Sequence, residues 1–182
     1  MKTTADKKRT VVLGVTGSIA AYKACELVRM FVKQGDDVHV VMTANACEFV
    51  TPLTFQTLSR NPVATGQFDK PADWKPGHIS LAEAADAVVV APATANIIAK
   101  MAHGMADDML SSVLLATKAP IVVAPAMNAG MYENPATQSN LATLRSRGVK
   151  MVEPAAGELA CGASGVGRLA ELSAIVSAVA EA

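Results

Sequence analysis

Aromatic residues are scarce in this chain: they make up 4% of it, as one Trp, two Tyr and four Phe. The core must be filled by small and branched aliphatic side chains instead, which suits helices laid on a parallel sheet. Cysteine is scarce as well. Cys25, Cys47 and Cys161 show no C-x-x-C spacing and have no histidine at ligand spacing. The sequence therefore offers no basis for a disulfide framework or a zinc site, and a reducing cytoplasm is the expected setting. An excess of charge is missing too. Sixteen Lys and Arg against 16 Asp and Glu give a formal net charge of +0, without the basic surplus of a nucleic-acid binder. No apolar run approaches the roughly 20 residues of a membrane span. Lys7, Lys8 and Arg9 ahead of an apolar run imitate a signal peptide, but Gly14, Thr16, Gly17 and Ser18 interrupt that run and a helical pattern follows directly.

What is present is a regular alternation. At 182 residues the chain fits one domain, large enough to bury roughly 70% of its unfolded surface without staples. Residues 1–9 read as a flexible polar tail and 10–182 as the folded domain. Short apolar runs at 11–15, 38–42, 87–91, 121–124 and 149–152 read as strands. Helical patterns occupy 18–33, 49–59, 94–103, 107–118, 135–147 and 171–180. The alternation predicts an α/β doubly wound domain with a mostly parallel sheet and right-handed crossovers. The segments 60–77 and 157–168 read as long irregular loops.

In an open α/β sheet, ligands bind beyond the carboxyl ends of the strands, which selects loops 16–19, 43–47, 92–96 and 125–128. The stretch Gly14-Val-Thr-Gly-Ser-Ile-Ala turns from strand into helix. It suits either a phosphate held by backbone N–H groups or a plain cap by Ser18. Its spacing is not G-x-G-x-x-G, and no Gly-Lys-Ser/Thr follows, so NAD and ATP are poorly supported. Ala91-Pro-Ala-Thr-Ala-Asn repeats the arrangement, with Thr94 or Asn96 placed to cap a helix or to contact a ligand. In Pro125-Ala-Met-Asn, Asn128 offers both a donor and an acceptor, fit for an amide or carboxylate, and is equally at home in a turn. His78 stands where a proline-rich loop gives way to a helix and is a candidate general base, whereas His39 and His103 read as structural. The glycine-rich segment around Cys161 is of a kind that closes over ligands. Cys161 is a candidate proton donor, and Arg168 a candidate for a phosphate or carboxylate. Cys25 and Cys47 read as packing residues.

In this order and spacing, Gly17-Ser-Ile-Ala-Ala-Tyr-Lys, Phe49-Val-Thr-Pro-Leu-Thr-Phe, His78-Ile, Ala91-Pro-Ala-Thr-Ala-Asn, Ala106-Asp-Asp, Pro125-Ala-Met-Asn and Cys161-Gly-x-x-Gly-x-Gly-Arg resemble the homo-oligomeric flavin-containing cysteine decarboxylases. The resemblance covers about residues 10–171 and implies a single Rossmann-like domain with noncovalent FMN. Gly17, Ser18, Ile19, Thr43, Asn45, Thr94, Ala95, Asn96 and Ala126 would hold the cofactor. His78 would be the base, Asn128 would bind the substrate carboxylate, and Met127 and Arg168 would also meet the substrate. Cys161 would lie on a flap and donate a proton. The implied substrate is 4′-phospho-N-pantothenoylcysteine, an intermediate of coenzyme A biosynthesis. The implied assembly is a homotrimer or a dodecamer, with the flavin near a subunit interface; no metal, nucleic acid or membrane is implied. The alternatives are a peptidyl-cysteine decarboxylase of the lantibiotic type and a non-catalytic flavin-binding regulatory subunit. Leu169 departs from the Met more usual at its position. Bacterial relatives often continue into a phosphopantothenate–cysteine ligase domain, a region this sequence does not include.

Overall fold

The computed structural model describes residues 8–68, 75–158 and 164–182. Val-rich runs become strands because β-branched side chains pack well on a pleated surface buried on both faces. Strands β1 (Thr10–Val15), β2 (Asp37–Met42), β3 (Ala87–Ala93), β4 (Ile121–Pro125) and β5 (Lys150–Met151) form one parallel sheet in the order β2-β1-β3-β4-β5. The chain steps outward from β1 to β2, then returns past β1 to lay down β3 on its other side. The β1–β3 junction is thus the switch point of the sheet.

Side-chain alternation along each strand divides the core in two. Val11, Leu13 and Val15 of β1 pack on one face with Leu27, Val28 and Phe31 of α1 (Ala21–Gln34) and with Ile175 and Val179 of α9 (Leu172–Ala180). Val12 points to the opposite face. There it joins Ile97 and Ile98 of α5 (Ala95–His103), Leu110 and Val113 of α6 (Met109–Ala116), and Leu141 and Leu144 of α8 (Pro135–Ser146). Helices on both faces of a parallel sheet make the doubly wound architecture expected from the sequence. Among the described residues, no helix is long and apolar enough to cross a membrane.

The remaining elements are short. They are α2 (Ala44–Cys47), α3 (Pro52–Ser59), α4 (Gly77–Ala84) and α7 (Ala129–Glu133). Helices α2 and α7 carry no apolar periodicity. Each is instead held by a side-chain cap, from Thr43 to the Ala46 N–H and from Asn128 to the Gly130 N–H. Helix α3 starts at Pro52, later than the pattern suggested, because proline is favoured in a first turn. The segment 157–168, read as a loop, contributes to a two-stranded antiparallel hairpin, β6 (Ala155–Glu158) with β7 (Ser164–Arg168). Its glycines hide any strand alternation. The hairpin is anchored by tertiary contact instead, including a bond from the Met127 N–H to the Gly167 carbonyl of 2.9 Å. At the amino end of the sheet, Arg9 makes a paired contact with both oxygens of Asp36, at 3.0 and 2.9 Å, and donates to the carbonyl of Val179 in α9 at 3.3 Å.

Candidate functional site

Beyond the last rungs of the ladder, the turns after β1, β2 and β3 converge on a cleft of about 370 Å³. Thr16 and Gly17 come from the first turn; Thr43, Ala44 and Asn45 from the second; Thr94, Asn96, Ile97 and Lys100 from the third and its helix. Asp108 and Met131 complete the wall. This is the switch point, where crossovers leave in opposite directions and a crevice must open.

Gly17 is required by closeness. A Cβ there would lie 2.4 Å from Asn45 Cβ and 3.1 Å from the Asn45 carbonyl carbon, so only glycine lets the two turns touch. Thr43 and Thr94 repeat one device: an extended backbone and a hydroxyl accepting from the N–H three residues on, at 3.3 and 3.4 Å. Ser18 Oγ accepts from the Ala20 N–H at 3.3 Å, which closes a local turn; the N-cap of α1 is Ala20, without a side-chain capping bond, so the helix cap expected of Ser18 is not formed. Thr16 is almost wholly buried, at 1% exposure. Its hydroxyl donates to the Pro92 carbonyl at 2.7 Å and accepts from the Thr94 N–H at 3.0 Å.

Two charged groups line the cleft, and they are paired. Lys100 Nζ lies 2.6 Å from Asp107 Oδ1 and 2.7 Å from Asp108 Oδ2. Asp108 also caps α6 in a reciprocal box with Ser111, accepting from its N–H at 2.8 Å. Burial pushes the Asp108 carboxyl up, but bonds from Lys100 and Ser111 outweigh it and hold the group below its ordinary range. Burial likewise pushes the Lys100 ammonium down, and its two carboxylate partners reverse that and raise it.

The other candidate residues lie around this cleft in a graded way. Ile19 is exposed and Ala95 half-buried, and neither lines it. Ala126 is buried and donates its N–H to the Ala93 carbonyl at 2.9 Å, tying the β4 turn to the β3 turn. Asn128 is exposed, and its Oδ1 accepts from the Gly130 N–H at 2.9 Å, which fixes the amide's orientation. Met127, just before it, is bonded through its backbone to β7. Arg168 on β7 pairs with Glu171 at 3.2 Å on the surface. His78 is half-buried at the start of α4. Its Nδ1 is fully enclosed and has no hydrogen-bond partner among the described residues. Neither His78 nor Asn128 is among the residues that line the cleft. Cys161 lies outside the described residues. Among those described, no cluster of three or more His, Cys, Asp or Glu is placed to hold a metal ion.

The sequence put Thr16 in a ligand-side loop and Asp108 in the Ala106-Asp-Asp motif, but gave neither of them, nor Lys100, an individual role. For Asp108 a signal existed: an acidic residue three before Ser111 and just ahead of an apolar run is a helix-start signature. Thr16 and Lys100 gave no comparable local signal.

A parallel sheet with its cleft at the β1–β3 switch point, lined by hydroxyls and amides from three successive strand ends, defines a nucleotide-type cofactor-binding α/β protein. The chain belongs to the Flavoprotein family, whose sequence profile matches residues 1–182. It is 50% identical over 177 residues to the coenzyme A biosynthesis bifunctional protein CoaBC of Vibrio vulnificus (strain YJ016), a match covering 97% of this chain and 44% of that protein. It thus spans less than half the length of that relative. Among solved structures, it resembles a PPC decarboxylase mutant complexed with pantothenoylaminoethenethiol, with a TM-score of 0.85 and 33% identity over 96% of this chain and 98% of the other. It also resembles the FMN-binding protein AtHal3, with a TM-score of 0.81 and 33% identity over 96% of each chain.

Proposed function

We propose that this chain binds FMN and decarboxylates 4′-phospho-N-pantothenoylcysteine to 4′-phosphopantetheine. The observation that carries the reading is the near-complete, 33%-identical likeness to a PPC decarboxylase captured with pantothenoylaminoethenethiol. The 50% identity to a coenzyme A biosynthesis protein favours this substrate over a peptide's cysteine. The residues present fit the cofactor. The cleft has the volume of a small-molecule site. The close approach permitted by Gly17 and the polar groups of Thr43, Asn45, Thr94 and Asn96 suit a phosphorylated polyol carrying a flat ring. When bound, FMN supplies a two-electron acceptor that oxidises the cysteinyl thiol to the thioaldehyde level, so that the electrons left by departing CO₂ have a sink.

The chain's own residues then bind, orient and move protons. Asn128, its amide fixed by Gly130, binds the substrate carboxylate. Met127 and Arg168 also meet the substrate, Arg168 as the cation offered to its phosphate. His78 acts as base through Nε2, because Nδ1 is enclosed. Cys161, between β6 and β7 in sequence, would give the proton when the enethiol takes back, as a hydride, the two electrons that the flavin had accepted from the thiol. His78 does not line the cleft of its own chain, so in this reading a second copy brings it there. Ile19, Tyr22, Phe49 and Leu53 are exposed apolar side chains, 48 to 69% accessible, of the kind a neighbouring copy covers in a homotrimer or dodecamer. The free thiols of Cys25 and Cys47 suit a cytoplasmic setting.

Mass spectrometry of products from the FMN-loaded protein tests the reading. Conversion of 4′-phospho-N-pantothenoylcysteine to 4′-phosphopantetheine is the expected result; no loss of CO₂ from a flavin-loaded sample refutes it. His78→Asn should lower kcat by about 10²-fold or more, and near-normal turnover would remove His78 as the base.

A further inference from the structure

The β1–β3 ladder runs from Val11 opposite Ala87 to Gly14 opposite Val90 and then stops. Beyond that point β3 also shifts its register against β4, between Val90 and Ala93. Pro92 has no N–H to contribute. Two strand ends that must carry adjoining loops therefore part company where spacing matters most. One side chain rejoins them. Thr16 donates its only hydroxyl proton to the Pro92 carbonyl at 2.7 Å and accepts from the Thr94 N–H at 3.0 Å. Thr16 itself is 1% exposed; its bond to Pro92 is buried and its bond to the half-buried Thr94 is partly so. Its own carbonyl accepts from the Ser18 N–H at 2.8 Å, so the same residue also closes the Gly17 turn.

Resting on the FMN reading above, we infer that Thr16 is a positioning residue for the cofactor: its hydroxyl replaces a rung of the sheet and sets the spacing between the Gly17 and Thr94 loops. The hydroxyl's one proton is already committed to Pro92, so Thr16 acts through those loops rather than by donating to the ligand. Thr94 is the cap of α5, so the bond to its N–H also fixes where that helix begins. The requirement is for a short side chain with one donor and one acceptor on the same atom. Serine meets it; valine, equal in shape to threonine, does not.

The test titrates FMN into apo-protein by flavin fluorescence for the wild type, Thr16→Val and Thr16→Ser, with a thermal melt of each apo-protein. Thr16→Val should raise the FMN Kd about tenfold or more, since the loss of about one net hydrogen bond corresponds to that factor. Thr16→Ser should stay within about twofold, as rescue by the retained hydroxyl. Equal FMN binding by wild type and Thr16→Val overturns the inference, and so does equal weakening by valine and serine. A wild type that binds no FMN removes instead the reading on which the inference rests. Should Thr16→Val not fold, amide exchange in the wild-type apo-protein decides. Thr94 N–H exchange as slow as that of the β1 and β3 ladder amides supports the role; exchange at the rate of an open loop overturns it.

Discussion

A missing side chain and a salt bridge hold the cleft's two walls, and both can be probed one residue at a time. Gly17→Ala would press a methyl against Asn45, 2.4 Å from its Cβ, with backbone close behind. The turns after β1 and β2 must separate, and FMN affinity should fall about tenfold or more in a fluorescence titration. Unchanged affinity would show that this approach does not matter for binding. On the opposite wall, Asp108→Asn keeps a good helix cap and removes only the charge facing Lys100. The Asp108 carboxyl is held below its ordinary pKa in the fold, so its stabilisation is present above the unfolded value of about 3.9 and is lost as pH falls through the folded value. The variant should melt a few degrees lower at pH 7, roughly 2–4 °C for a loss of about 1 kcal/mol at a partly exposed pair. That gap should close in strongly acidic buffer; a gap that persists there would assign the loss to packing. Gly17, Thr43 and Thr94 were legible in the sequence because a polar turn after an apolar run is a local signal. Thr16 was not, because its partners lie 76 and 78 residues away.

Among the elements, the β6–β7 hairpin and the Asn128 turn behave as one piece. A Cβ at Gly167 would meet the Met127 carbonyl oxygen at 2.2 Å, and its φ of +151° is one that side chains rarely adopt. Gly167→Ala should therefore push the hairpin off the turn. The expected result is a raised KM or a lowered kcat for the phosphopantothenoyl substrate with FMN affinity intact, read by steady-state kinetics beside a flavin titration. Joint loss of flavin binding would mean that the damage spreads through the whole sheet end. This hairpin was the element least legible in the sequence. Strands announce themselves by apolar alternation, and Ser164-Gly-Val-Gly-Arg has almost none; its register is dictated by contact with Met127 and Ala129. The long helices α1 and α5 were legible because each turns an apolar stripe to the sheet. Helix α1 begins three residues later than the pattern suggested and ends one later, at the backbone cap of Gly35; α5 moves only at its start, by one residue, behind the side-chain cap of Thr94.

For the whole molecule, the arrangement β2-β1-β3-β4-β5 follows from apolar runs alternating with helices, but the strand order itself is decided by packing and had no sequence signal. The separation of His78 from the cleft was also invisible to motif reading, which places residues along a line. Its consequence for assembly is testable by complementation. His78→Asn and Gly17→Glu proteins, each inactive alone, should recover decarboxylation when unfolded together and refolded as mixed oligomers. No recovery, with mixed oligomers verified by mass, would place the whole site within one copy. The Arg9 clasp on Asp36 and Val179 has a different reach. It gathers both ends of the fold at the pole where β1 begins, about 20 Å of strand away from the cleft. Polypeptide joined after α9 therefore sets out from the rear of the molecule, on the side away from the mouth of the cleft.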